Sequence, residues 1–532
     1  MPATARKLSL SYAYHSRGPW QHGLIVLIMI AAVTQWPILK NKTALSADLP
    51  RRPNIIFILA DDLGYGDLGC YGQQKIKTPR LDRLAAEGMR FTQHYAGCAV
   101  CAPSRCVLMT GRHPGHAYIR DNKDPVQPGV PRPVKGQIPI PDDALTLAEQ
   151  FHANGYATAG CGKWGLGGHQ STGDPLRQGF DHFFGYLDQW HAHNFYPTFI
   201  WNDGQRLPLN NAEIDAHQKL PADADPQDPQ SYTPYIGEDY VPDRVSERAL
   251  AFIRENRERP FFLYVPTAVP HLALQVPPDS LAEYQGQWED PPYLGDRGYT
   301  PHFTPRAAYA AMITRMDRDV GRILDLVREL NLDERTIVVF TSDNGPAPDR
   351  VGGTDGDFFA SSGELRGQKG SLYEGGIRVP CLVRWTGQIA AGTASDRVTG
   401  FEDWFTTLLE LTGHDSSATP DTDGFSFAPT LLNREQPPRD FLYREFASYG
   451  GQQSVRVGPW KGVRQNLLPR GKNVQPTLNV ELYNLDSDPG ESRDVAAHHP
   501  RVVAQMEQLM REQHVPSAEF PIGPLDEASR RP

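Results

Sequence analysis

Positive charge is the first thing this sequence lacks. Asp and Glu number 63 against 53 Lys and Arg, a formal charge of −10, so nothing electrostatic points to nucleic acid as a partner. An anionic substrate is not excluded, because local charge at a site can oppose the global balance. Cysteine is also sparse. Cys70, Cys98, Cys101, Cys106, Cys161 and Cys381 permit disulfides in an oxidising compartment, but not a connectivity readable from spacing. Zinc fits poorly, since the Cys98/Cys101 pair has no second pair or spaced histidines to complement it. No internal repeat is present, which removes repeat architectures. Long apolar runs are missing too. Arg6, Lys7 and Arg17 precede an apolar run from Gly23 to Val33, followed by small residues at Ala44 to Ala47. That run is short of the roughly 20 residues a membrane helix needs, and it fits a secretory signal better. Residues 1–47 are therefore expected to be a signal peptide or N-terminal anchor, and the protein to be exported, periplasmic or extracellular.

What is present describes a globular α/β protein: 39% hydrophobic and 22% charged residues, with 48 Gly and 47 Pro that predict long ordered loops. Asn54 to Ala60 is almost wholly apolar, as a strand buried on both faces requires. Helices are predicted over Pro79–Gly88, Ala144–Asn154, Asp243–Arg257 and Pro305–Leu330. Further buried strands are predicted at Tyr156–Gly160, Phe261–Val265 and Thr336–Thr341. This alternation predicts a largely parallel central sheet flanked by helices over residues 48–430. Beyond about residue 430, short strand candidates at Phe441–Phe446, Ser454–Val457 and Glu481–Leu485 precede a helix over Pro500–Gln513. Residues 431–532 are expected to form a small α+β domain.

Two acidic pairs sit directly after predicted strands: Asp61–Asp62 after the first, Asp343–Asn344 after Thr341 and Ser342. Ligands gather at the carboxyl ends of strands in open α/β sheets. Three carboxylates and an amide oxygen suit a hard cation such as Ca2+ or Mg2+. Each pair alone would as readily cap a helix or turn; the matching contexts favour a shared site. Ala102 to Gly111 is predicted as a helix that opens with Pro103 and closes at Gly111, which puts Cys101 at the positive end of the helix dipole with Arg105 one turn on. Read as an ordinary cysteine, it would be a thiol of low pKa or a disulfide partner.

Cys101-Ala-Pro-Ser-Arg-Cys-Val-Leu-Met-Thr-Gly111 resembles the sulfatase signature C-x-P-S-R-x-x-x-x-T-G, of the arylsulfatase-like, formylglycine-dependent type I sulfatases. Around it, in order, Asp61-Asp62 resembles that family's first metal pair, Gly162-Lys163-Trp164 its first catalytic lysine motif, and Pro270-His271 its sulfate-contacting histidine. Ser342-Asp343-Asn344-Gly345 resembles its second metal pair, Gly367-Gln-Lys369-Gly370 its second lysine motif, and Leu482 to Glu491 its terminal-domain segment. The resemblance spans about residues 52–515 and implies an alkaline-phosphatase-like sandwich. It also implies a metal site of Asp61, Asp62, residue 101, Asp343 and Asn344. Cys101 would be oxidised to formylglycine by a maturation enzyme, and Arg105, Lys163, His271 and Lys369 would be catalytic. One Ca2+, or Mg2+, would accompany a sulfate-ester substrate, expected to be a carbohydrate. One position departs from the pattern. Many sulfatases carry a histidine two residues after the first lysine, where this chain has Gly165; His191 and His193 are candidates to replace it.

Two rivals remain on the sequence: a phosphoester or phosphonate hydrolase of the same fold, and a silent binding protein that keeps the fold without the chemistry.

Overall fold

The computed structural model describes residues 52–125, 135–414, 422–469 and 474–528. The N-terminal segment, 1–47, lies outside them. The strand β1 (Asn54–Ala60) is buried at every position, and its alternation assigns it to two cores at once. Ile56, Ile58 and Ala60 enter the hydrophobic cluster on one face of the sheet, while Ile55, Phe57 and Leu59 enter the cluster on the other. Such a two-sided strand must lie inside a covered sheet, and each large aliphatic side chain so buried contributes about 1.5–3 kcal/mol.

That sheet has eleven strands among the described residues. In chain order they are β1, β2 (Met89–Tyr95), β3 (Ala157–Lys163), β4 (His182–Tyr186), β5 (Phe199–Asn202), β6 (Gln205–Pro208), β7 (Phe261–Pro266), β8 (Thr336–Ser342), β9 (Arg378–Arg384), β10 (Thr393–Ser395) and β11 (Thr399–Gly400). In space they run β10-β2-β9-β8-β1-β7-β3-β4-β5-β6, with β11 also on β2. The central run β8-β1-β7-β3-β4 is parallel throughout. Strand β9 departs from the expected pattern: it is antiparallel to both β8 and β2.

Helices α1 (Pro79–Glu87), α2 (Cys101–Thr110), α3 (Leu147–Ala153), α4 (Val241–Glu255), α5 (Pro305–Glu329) and α6 (Glu402–Leu411) cover the sheet. Helices α1, α4 and α5 bury their apolar residues in one cluster, α2, α3 and α6 in the other. The predicted helix over 144–154 starts late, at Leu147, because Thr146 and Glu149 close a reciprocal capping box there. Strand β3 runs three residues beyond its predicted end and terminates on Lys163 itself.

A second, antiparallel sheet of β12 (Leu442–Phe446), β13 (Gln452–Val457), β14 (Trp460–Arg464) and β15 (Glu481–Asn484) follows, with helix α7 (Pro500–Glu512) laying Met506 and Met510 against Tyr443, Val455 and Leu482. The fold is thus an alkaline-phosphatase-like α/β sandwich with a small C-terminal α+β domain. That domain grips the first: Lys461 pairs with Glu374 at 2.9 Å, Arg444 with Glu402 at 2.9 Å, and Gln452 bonds the backbone of Gly370 and Leu372 at 2.8 and 2.9 Å.

Candidate active site

Strand order and register bring the predicted residues together. Ala60 of β1 lies opposite Ser342 of β8, so the residues that follow each, Asp61 and Asp343, leave the sheet side by side. Backbone and side-chain bonds fix the junction: Asp343 N–H donates to Ala60 O at 3.0 Å, Leu63 N–H to Ser342 Oγ at 2.9 Å, and Asp62 N–H to Asp343 Oδ1 at 3.2 Å. Asp62 takes a left-handed φ of 65°, which turns its carboxylate back over the strand ends. Strand β7, on the other side of β1, leads into the loop carrying His271, and β3 beyond it ends at Lys163. Four neighbouring strand tips therefore supply Asp343 and Asn344, Asp61 and Asp62, His271, and Lys163.

Helix α2 brings the remainder. Cys101 is its first residue, and Ala102 N–H donates to Asn122 Oδ1 at 3.0 Å. Cys101 Sγ donates to Asp61 Oδ1 at 3.2 Å. One turn on, Arg105 is fully buried and donates Nε and Nη2 to Asp343 Oδ2 at 2.9 and 2.7 Å; its Nη2 also lies 3.4 Å from Asp61 Oδ2, and its Nη1 donates to Lys163 O. A buried guanidinium is tolerable only with this degree of pairing. Lys163 Nζ reaches Asp61 Oδ2 at 2.5 Å. Lys369, in a loop tied to the nucleophile segment by Gly370 N–H to Ala99 O at 2.8 Å, puts Nζ 2.8 Å from Asp62 Oδ2 and 3.5 Å from Cys101 Sγ. The nine residues given catalytic or metal roles in the sequence are in one place.

The electrostatics follow. Burial opposes ionisation of Asp61, but Lys163, Arg105 and Lys369 outweigh it and hold the carboxyl well below its usual range. Burial, with Asp61 as a like-charged neighbour, pushes Asp343 up to about 7, and burial likewise raises Asp62. Burial opposes the charged form of Lys369 as well, yet Asp62 and the residues around it keep its ammonium protonated far above the ordinary range. Burial and Asp61 push the Cys101 thiol up rather than down, which removes the low-pKa thiol alternative. The disulfide alternative also fails, because all six cysteines are unpaired.

Asp61, Asp62, Cys101 and His271 offer ligand atoms within 4.8 Å of one another. Asn344 Nδ2 donates to Asp62 Oδ1 at 2.7 Å and Gly345 O at 2.9 Å, but its Oδ1 is buried without a partner among the described residues. A buried amide oxygen left open beside three carboxylates fits a hard divalent cation. A second group, His113, His116 and Asp423, has metal-like proximity but not the chemistry. Gly115 N–H donates to His113 Nδ1 at 3.1 Å, so Nε2 carries the proton and donates to Gln513 Oε1 at 3.1 Å. No lone pair of that ring is left for a metal.

Behind His271 stands a wall of which sequence reasoning named His193 but missed His217 and Tyr299. His193 stacks on His271, His217 Nε2 lies 2.8 Å from His193 Nδ1, and Tyr299 packs edge-on to His193 at 5.2 Å. Of the two histidines considered for the gap at Gly165, His193 stands at the site; His191 is turned away, stacked on Phe199 and bonded to its carbonyl oxygen at 3.1 Å. Nothing in the local sequence around Tyr299 marks it.

Residues 53–414 match the family model described as Sulfatase, and residues 367–515 match that described as N-sulphoglucosamine sulphohydrolase, C-terminal. Arylsulfatase A of Homo sapiens is 33% identical over 500 residues, covering 88% of this chain and 89% of that protein. N-acetylgalactosamine-6-sulfatase of Canis lupus familiaris is 31% identical over 493 residues, covering 87% and 86%. Among solved structures, Ps i-CgsB in complex with k-i-k-neocarrahexaose superposes with a TM-score of 0.68 at 25% identity, covering 87% of this chain and 92% of that one. Matched along most of its length by the family model and by these relatives, the chain belongs to the sulfatase family of sulfuric ester hydrolases.

Proposed function

We propose that this enzyme hydrolyses a sulfate ester on a glycan to an alcohol and inorganic sulfate, after Cys101 has been converted to formylglycine and with one calcium-type divalent cation at the strand tips. The observation that carries the reading is the meeting of Asp61, Asp62, Asp343 and the open Asn344 Oδ1 with Cys101. Those four residues, with residue 101, would hold the cation. Once in place, the cation and the modified side chain supply a hydroxyl nucleophile of lowered pKa and an aldehyde to which the site can reset.

The chain's own residues do the rest. Three carboxylates face three cations, Arg105, Lys163 and Lys369, so their charges offset. A divalent cation added to that balance leaves the pocket net positive, which favours an anionic ester and the charge that builds on its oxygens. Arg105 is held by two donors on Asp343 Oδ2 and a third on Lys163 O, so its remaining hydrogen-bonding capacity is preorganised. Lys369, protonated and 3.5 Å from Cys101 Sγ, is placed to donate a proton to the departing alcohol oxygen. His271 is suited to the opposite task. Its Nδ1–H donates to Leu272 O at 2.6 Å, leaving Nε2 with a lone pair facing Asp62 at 3.6 Å, while burial and the two lysines keep the ring neutral. It accepts a proton; it does not arrive with one to give.

The glycan assignment draws support from the substrate named for the N-acetylgalactosamine-6-sulfatase relative and the oligosaccharide held by the solved neighbour. Export, from the run at 23–33, belongs to the same reading. The test is direct. Mass spectrometry of the Cys101 peptide should show sulfur lost and an aldehyde gained, and purified protein should turn over 4-nitrophenyl sulfate and a sulfated sugar in preference to the matching phosphate and phosphonate esters. An unmodified thiol in active protein, or faster phosphorus chemistry, overturns it.

A further inference from the structure

Gly165 has a left-handed φ of +79°, and a Cβ built on it would lie 2.4 Å from Gln189 Nε2 and 3.8 Å from Arg105 Cδ. The side chain of Gln189 therefore fills the space that any side chain at position 165 would enter, beside the stem of Arg105. Its placement is not accidental drift. Trp164 N–H donates to Tyr186 O at 2.8 Å and Gly165 N–H to Leu187 O at 3.1 Å, so the β3–β4 pairing continues past Lys163 and carries Gln189 alongside it. Gln189 is 6% exposed, yet among the described residues neither Nε2 nor Oε1 has a hydrogen-bond partner. A buried amide with both ends open is costly unless something else satisfies it. The described residues around it do not, and it lies beside the stem of Arg105, one of the three cations of the pocket read above as taking the anionic ester.

We propose that Gln189 is a further binding residue for the reacting group, its amide N–H donating to an oxygen of the sulfuryl group held near Arg105 and Lys163. This rests on the sulfatase reading given above. The absence of a side chain at position 165 is what gives the amide its place, so the departure of this chain from the expected histidine and the open amide are one feature. Sulfate, with acceptor oxygens only, is complementary to an amide N–H, and the donor costs no charge.

Gln189→Met keeps the length and removes both polar ends. With purified, matured enzyme and 4-nitrophenyl sulfate, kcat/KM should fall by about 100-fold, as for loss of one preorganised donor at a developing oxyanion. The Tm should hold within about 2 °C of the parent or rise, because an unsatisfied amide has been replaced by an apolar chain. Gln189→Glu, the same shape with an anion, should lose at least as much activity, where a purely structural side chain would tolerate it. A fall of under about tenfold for Gln189→Met, or a fall matched by a Tm loss above about 5 °C, overturns the assignment. If the parent enzyme turns over no sulfate ester, the functional reading itself has failed. Gln189 is then judged by calorimetric binding of inorganic sulfate, where Gln189→Met should bind about tenfold more weakly and equal binding refutes it.

Discussion

His193 lies flat against His271, with ring centroids 5.0 Å apart and planes 10° from parallel. The second imidazole fixes the orientation of the first, which among the described residues has one ring hydrogen bond of its own, to Leu272 O at 2.6 Å. His193→Ala is expected to lower kcat/KM by about 10- to 100-fold through loss of that orientation, while His193→Phe, which restores a flat ring, recovers most of it. Steady-state kinetics on the two variants separate a stacking role from a proton-carrying one, since phenylalanine cannot carry a proton.

Lys369→Ala is expected to reduce kcat by about 100- to 1,000-fold, and Lys369→Arg to recover little. The loop places a compact ammonium against both Asp62 and residue 101, a point contact that a planar guanidinium fork does not reproduce. Single-turnover rates with an aryl sulfate check this.

Chelation should both inactivate and destabilise the enzyme. Restoring Ca2+ at about 100 times its Kd should add about 2.7 kcal/mol by mass action. In Asp343→Asn, which removes one carboxylate charge and weakens the Arg105 fork, that calcium-dependent gain should vanish even where the protein still folds. Thermal melts with and without the cation read it.

Stability should also depend on pH at a site far from the chemistry. His514 is buried between Glu445 and Asp526, at 2.7 and 2.9 Å. Burial works against its charged form, but the two carboxylates prevail and its pKa is raised above 6.5. A histidine whose folded pKa is raised contributes stability that is complete below the unfolded value and lost as pH rises through the folded one. His514→Gln should therefore cost about 2 kcal/mol at pH 5.5 and progressively less at alkaline pH, measured by urea unfolding.

The parts legible in the sequence share one property: their signal is local. The apolar run of β1 and the acidic pair behind it, the Pro and Gly that bound α2, and the long periodicity of α5 are each written within one element, and their predicted bounds differ from the observed ones by at most a few residues. Strand β9 was hidden because Arg378 to Arg384 follows directly on a glycine-rich motif, and its antiparallel direction is decided by neighbours far away in sequence. Strand β14 carries no local signal because Lys461, Gly462 and Arg464 break its apolar pattern; the Glu374 ion pair of Lys461 and the Met506 contact at Gly462 that support their burial are supplied by folding. At the site, motif residues were visible, whereas Tyr299 and Gln189 reach it from loops whose paths no local pattern encodes.

Cys101 retains 1% of its surface, and its helix is pinned from behind by a loop that Gln452 and Lys461 hold shut. With the C-terminal domain docked, almost none of that residue is open to a second protein. On the proposed reading, a maturation enzyme acting on Cys101 would have to do so before strands β13 and β14 close, and a mutation that hastened docking would yield well-folded molecules still carrying the plain thiol.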